Sequence, residues 1–320
     1  MGFLHARLLN RLNFLDSVVD SNQKEAEKIG NQFDKPWFTN LEAMIEERSP
    51  NGIIIASPTS NHSEIAKKAV KLIPELKALL IEKPITPSVE ESIELKSTLL
   101  KHNVSVLIGH IEVFNPMISR ITQLLKEDFV GELRSILFQR RGAVGEGKIQ
   151  TLGDVYIDVG VNDFDIASRI LPPGEVTLFT TAVKTKGIDN SSVTVITSKN
   201  NDFYSTFLMS REYAGKIRTI DIEGTKATLH ADLITQVLEL RSLESAKGER
   251  SFPAVRVPFS SGEQIKVYGE PLLHEIWNFV DCINRTGQPL VSIDDAIKSL
   301  KIVEAARKSI LTGESVSINI

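Results

Sequence analysis

Up to about residue 118, short continuous apolar runs alternate with stretches of helical period, a pattern that few architectures accommodate. The runs are FLDSVVD, GIIIASP, ALLIEKP and VSVLIGH, and between them lie QKEAEKIGNQF, NLEAMIEER, HSEIAKKAVKLI and SVEESIELKSTLLKHN. Strands that are apolar throughout, not at every second position, are buried on both faces. That is the mark of a parallel sheet with helices on either side. Two of the helical stretches carry start signals, Asn61 with Glu64 and Ser88 with Glu91, each placed to cap free amides of a first turn. Residues 1–118 are therefore predicted to form an α/β Rossmann-type domain. Its opening stretch, MGFLHARLLNRLNFLDSVVDS, places Leu4, Leu8, Leu9 and Leu12 near one helix face and then a strand ending in Asp20. This reads as the second half of a nucleotide-binding βαβ unit, with its first strand expected ahead of Met1.

Past FNPMISRITQLLKE the character changes. The segments LRSILFQRR, EVTLFTTAVKT, SSVTVITSK, FYSTFLMS, KIRTIDIEGTKATLHA and QVLELRS follow one another with turn residues between them, which predicts a large, mainly antiparallel sheet. One helix, VNDFDIASRIL, interrupts the strands early, and two more helical stretches close the chain. Residues 119–320 thus read as an α+β domain for substrate binding and oligomerisation, with the C-terminal helices packing back on the first domain. Its open sheet face suits a homodimer or homotetramer.

Composition narrows the partners. A chain of 320 residues with 42% apolar residues, 24% charged residues and a net charge of −4 holds two ordinary domains. It has no general attraction for nucleic acid or anionic membrane, so a small molecule is the expected partner. The one cysteine, Cys282, lies in the apolar pattern IWNFVDCINRTG and reads as a core residue. No apolar run is long enough for a membrane span and the start shows no signal-peptide core, so a reducing, cytoplasmic setting is expected. His5, His102, His230 and His274 share no spacing, read as structural, and suggest no metal site.

Three places carry chemistry. Asp20, closing its strand, is suited to accept hydrogen bonds from adenosine ribose hydroxyls, which favours NAD over NADP; it is equally readable as a solvated turn residue. Ser57, Pro58, Thr59, Asn61 and His62 follow a buried strand and so sit at the carboxyl edge of the sheet, where open α/β sheets bind ligands, although Thr59 to Asn61 also suit a helix cap. Glu82 and Lys83 end another strand in IEKPITP, with Pro84 stiffening the exit.

Taken with HARLL, VVDSNQKEAEKIG, IIIASPTSNHSEIA, IGHIEVFNPMI, IDVGVNDFDIASRI and EPLLHEIWNFVDCI in that order, these stretches make the chain resemble the Gfo/Idh/MocA oxidoreductases, NAD(P)-dependent sugar and polyol dehydrogenases. Within that family GHIEVFNP is most similar to the UDP-N-acetyl-sugar 3-dehydrogenases, in which an arginine commonly replaces Val113. The resemblance implies that Lys83 moves the proton of a reacting carbinol while a nicotinamide takes a hydride from the same carbon. It implies that Asp158 hydrogen-bonds the substrate hydroxyl or orients Lys83, its other reading being a cap for the helix that follows. Four residues on, many relatives carry a histidine where this chain has Asn162, and an amide positions a hydroxyl but shuttles no proton. Either Lys83, with Asp158 or Asp163, handles the proton, or turnover is slow or lost. Arg140 and Arg141 would grip a nucleotide-sugar diphosphate or be exposed strand ends. His110 and Asn115 come from the segment that passes the nicotinamide in relatives. Relatives also carry a GxG-type turn before HARLL, and Gly2 matches its end. The implied function is NAD-dependent oxidation of a secondary hydroxyl of a sugar or nucleotide sugar, with UDP-N-acetylglucosamine at C3 as first candidate. The alternatives are a catalytically silent sugar-sensing or interaction protein on the same scaffold, or a glycosidase that uses NAD transiently.

Overall fold

The computed structural model describes residues 1–145, 147, 149–200, 202–242 and 263–320. The chain divides into two compact units, one of Met1–Ile111 with Glu270–Ile297, the other of Glu112–Gly269 with Lys298–Ile320.

In the first unit, helix and strand alternate: α1 (Gly2–Arg11), β1 (Val18–Val19), α2 (Gln23–Phe33), β2 (Trp37–Phe38), α3 (Leu41–Glu47), β3 (Gly52–Ile55), α4 (His62–Leu72), β4 (Ala78–Glu82), α5 (Val89–Leu99) and β5 (Ser105–Gly109). Helix α8 (Pro271–Asn284) joins them from late in the chain. All the strand pairings are parallel: β1 with β2, and β3 with β4 with β5. Strand β4 has a neighbour on each edge and helices α4 and α8 against it, so all five of its residues are buried. That is why ALLIE is apolar almost throughout. The predicted strand FLDSVVD contracts to Val18–Val19, since only β2 pairs with it among the described residues and Asp16 is exposed. Ser88 caps α5 as predicted, its Oγ accepting the Glu91 amide at 3.2 Å. Asn61 does not cap α4. A 3₁₀ turn over Thr59–Asn61 runs straight into the helix, and the Asn61 Oδ1 instead accepts the Ser60 hydroxyl at 3.2 Å.

Among the described residues the second unit is built on a nine-stranded sheet with helices beside it. In chain order it contains α6 (Pro116–Lys126), β6 (Leu133–Ala143), α7 (Val161–Ile170), β7 (Glu175–Thr185), β8 (Ile188–Ser198), β9 (Tyr204–Ser210), β10 (Glu212–Gly224), β11 (Ala227–Asp232), β12 (Val237–Ser242), β13 (Glu263–Lys266), most of α9 (Ile293–Thr312) and β14 (Val316–Asn319). The strand order is β13-β12-β11-β10-β6-β9-β8-β7-β14, antiparallel at every step except β6 beside β9. Burial alternates along β8 and β9 as a one-sided sheet requires. The buried face centres on Phe207, stacked on Phe138 at 4.7 Å and met edge-on by Phe164 of α7 at 4.9 Å. The other face keeps Phe179, Val183 and Tyr204 exposed.

Candidate functional site

The carboxyl ends of the parallel strands collect the residues singled out in the first unit. Asp20 leaves β1 exposed, and its Oδ1 accepts the Asn22 amide at 2.8 Å in a turn that starts α2. Ser57, Pro58 and Thr59 follow β3, with Ser57 and Thr59 part-exposed and Pro58 exposed. His62 is buried, and it ties two strand ends together: Nε2 meets the Ser57 carbonyl at 2.8 Å and Nδ1 meets the Pro84 carbonyl at 3.1 Å. It thus shapes the loop from inside and has no ring nitrogen left over for a ligand, a correction to its reading as a cofactor contact.

Lys83 lies at the end of β4, half-buried, and Glu82 before it is buried. Glu82 is the last residue of β4, and Lys83 begins the turn that follows it. Glu82 turns inward, where its Oε1 lies 2.6 Å from the His5 Nε2 and its Oε2 accepts the Lys83 amide at 3.3 Å. It is therefore an internal anchor for the lysine-bearing turn, not a surface to which a cofactor binds. Gly109 on the adjoining β5 makes room for it, since a Cβ there would come within 3.2 Å of the Glu82 carboxylate.

In the second unit Asp158 sits on a single π-helical turn, Tyr156–Gly160, that leads into α7. Such turns, with one residue more than the α-helix allows, recur at functional sites. Gly160 fits it tightly against β9, for a Cβ there would lie 2.5 Å from the Met209 sulfur. Asp158 is held by Arg211, a residue the sequence reading did not single out. The Arg211 side chain is almost wholly buried; its Nε donates to Asn190 Oδ1 at 2.7 Å and one terminal nitrogen reaches Asp158 Oδ2 at 3.4 Å. The N-cap position of α7 is Gly160, and the Asp158 carboxylate has Arg211 as a built-in counter-charge. Asn162 donates to the Val159 carbonyl at 3.1 Å, so its amide serves the turn itself.

Four sequence expectations are corrected here. Arg140 is neither a free phosphate clamp nor an exposed strand end. It is buried and paired with two carboxylates, donating to Asp163 Oδ1 at 2.7 and 2.9 Å and to Glu112 Oε1 at 2.9 Å. Arg141 points to the other side of β6, half-buried over the Tyr213 ring at 4.5 Å, so adjacent strand positions cannot make one guanidinium pair. Asp163 is buried against Arg140, which removes it as an auxiliary proton carrier. Asn115 caps α6 through the Met117 amide and donates to the Leu233 carbonyl at 3.0 Å, which leaves it no free role at a nicotinamide. The charges in this network settle unevenly. Burial works to raise both carboxyls, but Glu112 also meets Arg218 at 2.6 Å and its pKa is lowered, whereas Asp163 keeps one oxygen unpartnered among the described residues and its pKa is raised.

The residues of the first unit fit a dinucleotide. Asp20 offers an exposed carboxylate at a strand end. The first turn of α1 opens on Gly2 with no side-chain cap and no acidic residue, so no side chain competes with a phosphate at the Gly2 and Phe3 amides, whereas the Leu4 amide donates to the Met1 carbonyl at 2.7 Å.

This fold defines a Rossmann-type nucleotide-binding protein with a second, sheet-based unit. Residues 4–110 match the Gfo/Idh/MocA oxidoreductase family, NAD-binding Rossmann fold. Curated relatives align along nearly the whole chain. Inositol 2-dehydrogenase of Rhizobium meliloti is 23% identical over 99% of this chain and 96% of its own, and scyllo-inositol 2-dehydrogenase (NAD(+)) of Bacillus subtilis is 23% identical over 100% and 94%. Among solved structures, UDP-N-acetylglucosamine 3-dehydrogenase GnnA from Acidithiobacillus ferrooxidans superposes with a TM-score of 0.82 at 19% identity, covering 98% of this chain and 95% of that one. Residues 4–110 thus carry the likeness to the Gfo/Idh/MocA oxidoreductases, and the chain as a whole is similar to dehydrogenases in sequence and to solved structures of that fold.

Proposed function

We propose that this protein is an NAD-dependent dehydrogenase that oxidises a secondary hydroxyl of a sugar or nucleotide sugar to a ketone, with UDP-N-acetylglucosamine at C3 as the first substrate to try. The observation that carries the reading is Lys83: a half-buried lysine at a parallel strand end, on a turn anchored by a buried carboxylate. A bound nicotinamide supplies the hydride acceptor. Lys83 accepts the hydroxyl proton as the carbon gives up its hydride, and then passes that proton to solvent, so the sum is alcohol plus NAD+ to ketone, NADH and one proton. Asp158, pre-oriented by Arg211, fixes the hydroxyl. Since the Asn162 amide is engaged with Val159, it adds no proton relay.

Two measurements bear on the details. Asp20→Ser should weaken NAD+ binding by about tenfold, about 1.4 kcal/mol, and strengthen NADP+ binding, because it removes a hydrogen-bonding charge that also repels a 2′-phosphate. Titration calorimetry with both cofactors checks this, and an unchanged preference removes Asp20 from the site. Arg211→Lys keeps the charge but loses the planar fork, and should lower kcat by about tenfold to a hundredfold through misplacement of Asp158. Steady-state kinetics that change only in proportion to melting would reject that positioning role.

The engagement of Asn162 also favours a second reading, a silent sugar-sensing scaffold. Turnover of a sugar panel with NAD+ decides between them, and free sugar released without NADH accumulation would instead indicate a glycosidase. A homodimer or homotetramer formed through the exposed face bearing Phe179, Val183 and Tyr204 is part of the proposal. A reducing, cytoplasmic setting accords with Cys282, whose thiol burial pushes up to about 11. Among the described residues no helix is long and apolar enough to cross a membrane.

A further inference from the structure

Three side chains from distant parts of the first unit converge in a buried spot: His5 of α1, Glu82 at the end of β4 and Glu275 of α8. Their nearest nitrogen and oxygen atoms all lie within 4.8 Å of one another. His5 and Glu82 are bonded to each other, but both oxygens of Glu275 and the Nδ1 of His5 have no hydrogen-bond partner among the described residues. Glu275 is wholly buried. Leu8 of α1 and Leu272 and Ile276 of α8, near His5 and Glu275 along the same two helices, form an apolar cluster that carries no charge. The titratable groups facing it are few. Helix α1 contributes His5, its Arg7 and Arg11 being exposed; β4 contributes Glu82; β5 contributes none; and on α8 itself His274 and Asp281 are exposed. A second negative charge here would face Glu82 across a few ångströms without a counter-ion of its own.

We propose that His5, Glu82 and Glu275 form a proton-holding cluster in which Glu275 enters the fold as the neutral acid, leaving the Glu82 carboxylate free to hold His5 on one oxygen and the Lys83 peptide on the other. His5 and Glu275 are then positioning residues for the Lys83 turn. That last step rests on the catalytic reading of Lys83, whereas the protonation of Glu275 does not.

The expected pH dependence has a definite sign. Burial, and secondly the charge of Glu82, push the Glu275 carboxyl well above the ordinary value of 4.5. Below that value the folded and unfolded chains both carry the proton. Above it the unfolded chain loses the proton and the folded chain retains it, so this contribution to stability is lost as pH rises toward the folded pKa. Its loss lowers the folding equilibrium constant by up to about tenfold per pH unit. Glu275→Gln keeps the shape and the neutral state and removes the linkage.

Urea unfolding of the full-length wild type and Glu275→Gln between about pH 5 and about pH 8 tests this, with the variant gaining on the wild type by up to about tenfold per pH unit. Infrared difference spectra of the folded wild type should contain a protonated-carboxyl band at neutral pH, which serves even if the variant folds poorly. Hydrogen exchange at the Lys83 amide should quicken with pH beyond its intrinsic dependence in the wild type and not in the variant. Parallel stability curves, or the absence of the infrared band, overturn the proposal. So does a rise in wild-type melting temperature with Zn2+ or Mn2+ that the variant lacks, since that would make the cluster a cation site. Full turnover in a Lys83 variant would defeat the catalytic reading alone and leave the stability and infrared results standing.

Discussion

Lys83→Ala is expected to lower kcat/KM for sugar oxidation by about a hundredfold to ten-thousandfold, the range over which a positioned acid or base contributes to catalysis. The loss should fall mainly on kcat, because the work proposed for the amine is moving a proton during the step. Stability should change little. Lys83 is half-exposed, and the hydrogen bond that anchors its turn uses the backbone amide, which alanine retains. NADH binding followed by fluorescence should therefore survive in the variant. A Lys83→Ala enzyme with undiminished turnover would move the proton chemistry elsewhere.

The second large effect concerns folding. Arg140→Ala should destabilise the protein by about 3–5 kcal/mol, the cost of removing one partner from a buried ion pair. Arg140 has burial against it, but Asp163 and Glu112 outweigh that and push its pKa up, so the guanidinium is charged and is the chief counter-charge for two buried acids. Without it Glu112 still meets Arg218, whereas Asp163 loses both of its hydrogen bonds. Removing the acid as well should recover part of the loss, since Arg140→Met with Asp163→Leu leaves no orphaned charge. Urea unfolding checks both variants. A cost below about 1 kcal/mol for Arg140→Ala would place this network with the weak surface pairs.

How much of this was legible in the sequence follows from which forces are local. The helix Gln23–Phe33 coincides with the segment QKEAEKIGNQF, and Ser88 caps its helix, because both depend on neighbours a few residues away. The Asn61 signal failed for an equally local reason, a 3₁₀ turn that winds through the capping position. Lys83 and Glu82 were visible as a strand end, but the role of Glu82 as an inward anchor depends on a histidine 77 positions away. Arg140 and Arg141 looked like a pair because they adjoin in sequence; the parity of the strand separates them. Arg211 carries no motif at all. It matters through Asp158, 53 residues earlier, and only the fold of the second unit joins them. The π turn that presents Asp158 has no sequence signature either, although the tight fit of Gly160 explains why a residue without a side chain stands there.

The most direct test of the central claim is to follow one hydrogen atom. UDP-N-acetylglucosamine and a panel of inositols and free sugars, each deuterated at the carbinol carbon, are incubated with the enzyme and NAD+, and the reduced cofactor is analysed by mass spectrometry and proton NMR. The account predicts that deuterium from one of these carbons appears at C4 of the nicotinamide, with the matching ketone formed in equal amount. Tight NADH binding with no label transferred from any sugar or polyol would contradict it.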